Sequence, residues 1–261
     1  MQKIREQDIA RLYHINSNNV KDRISDFSVN MDRKPMRFRT YLNSKRVGLP
    51  GRDFRLDVSL GDVLQRRRSV REFHLRPLEL DVLGRLLHTC YGVRGHRQVE
   101  EQWVYDRPSP SAGGLYPLEL YVAAQAVGGL TDGIYHYDAR AHELEIRQTG
   151  IYHKEIADMT IGQQMVCDAN LVVIISAVFQ RTMWKYGQRG YRYVWLDAGH
   201  LGQNLYLVAV ALGLGPVAIG GFFDNDLNRL LALPAGEEVV YLVCVGQLKT
   251  SDARRVPPST D

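Results

Sequence analysis

The chain has 261 residues, 45% hydrophobic, 24% charged and 9% aromatic, which excludes a mostly disordered chain, a collagen and a disulfide-stapled miniprotein. Lys and Arg number 33 against 29 Asp and Glu, a net charge of +4 that makes no case for nucleic-acid binding. The three cysteines, Cys90, Cys167 and Cys244, are far apart and sit in apolar stretches, so they read as buried thiols in a reducing compartment.

The chain begins MQKIREQDIARLYHINSNN, with no apolar run of the kind a secretion signal has. A cytoplasmic protein is expected. Residues 1–58 are polar and irregular; they read as an extended arm with a short helix over 5–13. Ser59 then caps a helix carrying Leu60, Val63, Leu64 and Arg67. A second helix follows Pro77, with Leu80, Leu83, Leu86, Leu87 and Cys90 on one face, until Gly92. Leu118–Ala124 reads as a buried strand, and 133–138 with 143–147 as a hairpin. A helix over 151–167, a buried strand at Leu171–Val178, a long helix near 191–214 and a last strand at Val239–Val245 complete the series. The nineteen uncharged residues Leu205–Phe223 have the length of a membrane span. Gly213, Gly215, Pro216, Gly220 and Gly221 interrupt them, so they read as a buried helix followed by a tight turn. The order implies an α+β (α/β) sandwich, one domain over 59–261 behind the arm.

Four segments could carry chemistry. Arg66-Arg67-Arg68-Ser69-Val70-Arg71 offers guanidinium forks and a hydroxyl for a phosphate, or merely arginines complementing a helix C-terminus. Arg107-Pro108-Ser109-Pro110-Ser111-Ala112-Gly113-Gly114 lets backbone approach a flat ligand, or is an ordinary Gly/Pro loop. Gly213–Phe222 is a helix stop or a set of backbone donors against a ring. In Trp184-Lys185-Tyr186-Gly187, a lysine beside a tyrosine can lower the phenol's pKa and form an acid/base pair, or both can be structural. The eight histidines show no metal-ligand spacing, and no G-x-S-x-G elbow is present.

Taken together, RRRSVREF (66–73), RPSPSAGGLYPLELYV (107–122), GIYHYDARAHELE (133–145), WKYGQRGYRYVWLDAGHLGQNLYLVAVALGLGPVAIGGF (184–222) and VGQ (245–247) resemble the SagB/ThcOx-type dehydrogenases. These form a branch of the FMN-dependent nitroreductase superfamily. LYHINSNN (12–19) is similar to that branch's N-terminal extension. The resemblance implies a mixed sheet flanked by helices in an intertwined homodimer, with two FMN sites at the subunit interface. It implies that Arg67, Arg68, Ser69 and Arg71 meet the FMN phosphate and ribityl chain, with Arg255 (or Arg254) as a second phosphate ligand. Pro108, Ser109, Ser111 and Gly113 would border the flavin from the other subunit. Ala218, Ile219, Gly220 and Gly221 would lie beside the ring, the Gly220 N–H donating to N5. Lys185 and Tyr186 match the catalytic pair of the azoline oxidases.

The implied activity is FMN-dependent oxidation of a peptide- or carrier-bound azoline, derived from Cys, Ser or Thr, to an azole. A cyclodehydratase or a nonribosomal synthetase would be the partner, with neither nucleic acid nor membrane involved. The alternatives are an NAD(P)H-dependent nitro or quinone reductase, a dehydrogenase of another small biosynthetic intermediate, and a non-catalytic peptide-binding or scaffold subunit.

Overall fold

Runs of β-branched and aromatic residues pair into one sheet because both of its faces are buried, so its central strands read as continuous apolar stretches rather than alternating ones. The structure, a computed structural model, describes residues 6–21, 34–53, 55–99 and 102–249. The strands of the main sheet are β1 (Arg46–Gly48), β4 (Leu118–Ala124), β5 (Gly133–Asp138), β6 (Glu143–Thr149), β7 (Leu171–Val178), β8 (Leu214–Ile219) and β9 (Glu237–Gln247). They lie in the order β1-β6-β5-β4-β7-β9-β8. A separate ribbon pairs β2 (Gly95–Val99) with β3 (Gln102–Asp106). Among the described residues every pairing in the seven-stranded ladder is antiparallel, and the parallel contact is the isolated bridge Leu78–Val127.

Seven α-helices accompany the strands among the described residues: α1 (Glu6–Asn16), α2 (Leu60–Arg66), α3 (Leu80–Tyr91), α4 (His153–Met159), α5 (Gln180–Tyr186), α6 (Arg189–Ala211) and α7 (Asp224–Leu230). The period of two along β4 divides the core. Leu118, Leu120, Val122 and Ala124 face α3 and the apolar stripe of α6 (Leu201, Leu205, Val208, Ala209), whereas Tyr121 and Ala123 face Ile156 of α4 and Leu227 of α7. The α+β sandwich expected from the sequence is the one found. Ser59 caps α2 as read, its hydroxyl accepting from the Asp62 N–H at 3.1 Å.

Several boundaries differ. The expected loop after the long helix contains β8, because Pro216 occupies an edge strand, where a missing N–H costs no ladder bond. The helix over 151–167 stops at Met159, and a 3-10 turn follows at Gln164–Asp168. Within the expected arm, β1 pairs with β6, and the segment before it is fixed to buried carboxylates. Arg39 N–H donates to Glu119 at 3.0 Å, Tyr41 N–H to Glu145 at 3.1 Å, and the Arg39 side chain meets Glu237 at 2.6 Å.

His136, fully buried, lies between Glu145 (2.8 Å) and Glu119 (3.1 Å). Burial alone would push its imidazole toward neutral, but the two carboxylates outweigh it and raise its pKa to about 9. Among the described residues no helix is long and apolar enough to cross a membrane.

Candidate active site

The basic run leaves α2 as an extended strip lying on β8. Val70 N–H donates to Pro216 O at 2.9 Å, and the Val70 side chain sits over Gly215, where any Cβ would come within 2.9 Å of it. With Val70 turned inward, Ser69 and Arg71 are turned outward, and Arg71 is exposed.

Tyr206 of α6 ties this strip to the end of β8. Its hydroxyl is 2.9 Å from Ser69 Oγ and accepts from the Ala218 N–H at 2.8 Å, while the Arg67 guanidinium lies 5.4 Å from its ring. Beyond Ala218 the chain passes through Ile219, whose side chain is in the core, to exposed Gly220, above which a Cβ would meet nothing within 4 Å. Gly221, also exposed, has Ile161 as its nearest neighbour.

Arg67, Ser69, Ala218 and Gly220 thus form one group: cations and a hydroxyl at one end, open glycine backbone at the other. Arg68 is not part of it, since it lines a separate small cavity of about 90 Å³ with Arg66 and Leu248. Arg255 and Arg254 lie outside the described residues.

The serine loop runs along another face of α6, in the opposite direction to it. Buried Ser109 donates to Cys90 O at 3.0 Å and accepts from Asn204 at 2.8 Å. Ser111 donates to Asp197 at 2.5 Å, and the Ala112 N–H lies 3.4 Å from the same carboxylate. Gly113 (φ +62°) reaches the end of α5, where an added Cβ would stand 2.5 Å from the Tyr186 hydroxyl and 3.2 Å from Lys185 Nζ.

Asn204, Asp197 and Gly190 are seven residues apart, which keeps them on one side of the helix. Gly190 lets α5 pack closely, because a Cβ there would be 2.9 Å from Met183 Cα. The loop therefore brings Gly113 to the Lys185–Tyr186 pair, while both serines are already partnered within the chain and serve to shape the loop. Pro108 faces elsewhere, into a cleft with Arg52, His88 and Arg94.

The expected lowering of the tyrosine pKa does not occur. Tyr186 is raised, first by burial and then by Tyr193 and Asp197. The Tyr193 ring stands edge-on at 5.1 Å. Asp197 is itself raised by burial, against the hydrogen bonds from Ser111 and Ala112. Tyr186 thus rests as a phenol at neutral pH.

Asp197 and Tyr206 are nine residues apart, about 13 Å along α6 at 1.5 Å per residue, and about 100° per residue puts them on opposite sides. The body of the helix stands between the Arg67–Ser69–Ala218 group and the Gly113–Lys185–Tyr186 group.

Tyr206, Asp197 and Asn204 were not singled out by the motifs as site residues. The seven-residue spacing of Gly190, Asp197 and Asn204 was the available signal, but an apolar helix with a few polar residues gives no hint of which neighbours they meet.

The family model for nitroreductases matches residues 64–247. The chain belongs to the nitroreductase family. MJ1384 of Methanocaldococcus jannaschii, a nitroreductase by name, is 40% identical over 192 residues, covering 73% of this chain and 92% of that protein. TfxB of Rhizobium leguminosarum bv. trifolii, a trifolitoxin-processing protein, is 33% identical over 110 residues, or 40% of this chain and 30% of its own length. Its likeness supports the SagB-type branch of the nitroreductases. A crystal structure of a nitroreductase-type protein from Anabaena variabilis superposes with a TM-score of 0.76 at 26% identity, over 94% of this chain. This chain spans 47% of the Anabaena chain. The nitroreductase fold is thereby established, and the family is one of oxidoreductases.

Proposed function

We propose that the protein is an FMN-dependent dehydrogenase that oxidises an azoline to an azole on a peptide or carrier. The observation that carries this reading is the close approach of Gly113 to the Tyr186 hydroxyl with Lys185 alongside. Azoline oxidation releases a proton and needs an acceptor beside the substrate, whereas reduction of a nitro group takes protons up. The likeness to a trifolitoxin-processing protein and the match to the azoline-oxidase motifs support it.

The donor set suits FMN. Exposed Arg71, half-buried Arg67 and the Ser69 hydroxyl offer charge-assisted donors to a phosphate, and the open backbone at Gly220 admits a flat ring without a side chain in the way. When bound, the flavin would supply the hydride acceptor. These residues lie on the Tyr206 side of α6 and the Lys185–Tyr186 pair beside its Asp197 side, so we read the two groups as serving different flavin sites. A homodimer in which each flavin site draws one group from each copy fits this.

This chain's own residues then handle the proton. Oxidation of the ring releases one proton from carbon, and a base must receive it. Tyr186, raised by burial, accepts it in its phenolate form, a minor fraction at neutral pH and a strong base because of that same shift. Turnover should therefore climb with pH on the neutral-to-alkaline side. A cyclodehydratase or nonribosomal synthetase would supply the azoline.

The test is direct. Purified protein should absorb near ~370 and ~450 nm and release FMN on denaturation. A thiazoline peptide should lose two hydrogen atoms by mass in its presence. Steady NAD(P)H oxidation with a nitroarene and no azoline turnover would overturn the reading.

A further inference from the structure

Beside Lys185 and Tyr186 opens a cleft of about 470 Å³, whose far wall is the turn that follows α1. Arg192 holds that turn in place. Its Nε donates to Ser17 Oγ at 2.8 Å, and an amino group donates to Asn18 Oδ1 at 3.2 Å and to the His14 carbonyl. The Tyr13 ring stands edge-on to Tyr191 at 5.1 Å. The arm thus closes over the proton-handling pair instead of trailing away from it.

The cleft's charge is one-sided. Lys185 and Arg189 line it, together with the carboxamides of Asn18, Asn19 and Gln188, and among the described residues no Asp or Glu does. Arg189 gives one bond to the arm, to Ser17 O at 3.3 Å. Its Nε is buried and has no hydrogen-bond partner among the described residues. A planar guanidinium fork that lines a cleft free of carboxylates among the described residues is best answered by a carboxylate. The cleft has room for a five-membered ring bearing one.

Building on the azoline reading above, we propose that this cleft binds the ionised carboxylate of the substrate, with Arg189 as its anchor. The substrate is then an azoline acid, free or at the C-terminus of a peptide. A ring held internally in a peptide or as a carrier thioester lacks that charge, so those substrates drop out of the broader reading above.

The experiment uses the FMN-loaded protein, titrated calorimetrically with 2-methylthiazoline-4-carboxylate and with its methyl ester. The acid should bind about ten-fold or more tightly than the ester, the size of one charge-assisted contact. Arg189→Ala should remove that preference by weakening the acid alone. Arg192→Ala, which loosens the arm, should weaken acid and ester alike. Equal binding of the two ligands by the wild type, or equal weakening of both by Arg189→Ala, would overturn the proposal. If Arg189→Ala does not fold, Arg189→Gln is read the same way. Binding is measured without turnover, so the two readings separate. Selective binding of the acid without oxidation sinks the azoline reading and leaves the anion site, whereas equal oxidation of acid and ester does the reverse.

Discussion

The two sides of α6 solve different problems with different materials. On the side of Tyr206, the groups proposed to meet the flavin are exposed: Arg71, Gly220 and Gly221, with half-buried Arg67 and Ser69 behind them. Their position comes largely from backbone, through the Val70–Pro216 hydrogen bond and the side-chain-free surface at Gly215, with the Tyr206 hydroxyl adding a side-chain tie. On the side of Asp197, the loop is held by side chains, with Ser109 on Asn204 and Ser111 on Asp197, and only Gly113 is left open toward Tyr186. The first arrangement suits holding a charged ligand without perturbing it. The second suits fixing a hydroxyl whose proton affinity must be set by its surroundings. Binding and proton transfer should therefore be separable by mutation.

The largest separation should come from Tyr186→Phe. Turnover should fall by about 10²-fold or more, the range for a lost acid/base group, while FMN stays bound at wild-type stoichiometry. The alkaline rise in turnover should vanish with it. Loss of FMN from this variant would show that the two sides are one unit.

Gly113→Ala comes next. The left-handed φ of +62° and the 2.5 Å approach to the Tyr186 hydroxyl both resist a Cβ. We expect about a ten-fold drop in turnover from the displaced hydroxyl, with about 1–2 kcal/mol of stability lost, read by denaturant melts.

On the opposite side, Tyr206→Phe removes the hydroxyl shared by Ser69 and the Ala218 N–H. FMN should bind about 5- to 10-fold more weakly, as for one or two lost hydrogen bonds, and turnover at saturating FMN should be unchanged. A kcat effect larger than the binding effect would contradict the division of labour.

The smallest effect on the site should come from the sheet beneath it. The His136 imidazolium, raised from 6.5 to about 9, contributes stability that is complete below pH 6.5 and fades as pH rises through 9. Melting temperature should fall between pH 7 and 10 more steeply in the wild type than in His136→Gln, with FMN affinity at pH 7 little changed in the variant.

How much of this was legible in the sequence follows from the range of each interaction. The Ser59 cap, the face of α3 and Leu171–Val178 are local patterns, and they stand where the residues put them. β8 was hidden because glycine and proline argue against a strand unless it is known to be an edge. The segment over 39–48 reads as an irregular arm because its partners, Glu119, Glu145 and Glu237, are about 80 to 200 residues away in the chain. The motifs named most of the site residues but not their grouping. Arg68 matches a phosphate position by spacing and faces another cavity, and Ser109 matches a flavin-bordering position and is buried under Asn204. The lysine beside Tyr186 suggested a lowered phenol, but burial outweighs adjacency in sequence.

The central claim is that the two sides of one α6 serve two different flavin sites, each completed by a second copy of the chain. Mixing two inactive variants tests it: Arg67→Ala/Arg71→Ala, which should lose FMN, and Tyr186→Phe, which should keep it and lose turnover. After co-refolding at equal concentrations, half of the dimers should be mixed, each with one wild-type site, restoring about a quarter of wild-type activity. Activity that stays at the sum of the two separate variants would place both groups in one chain's site and contradict the account.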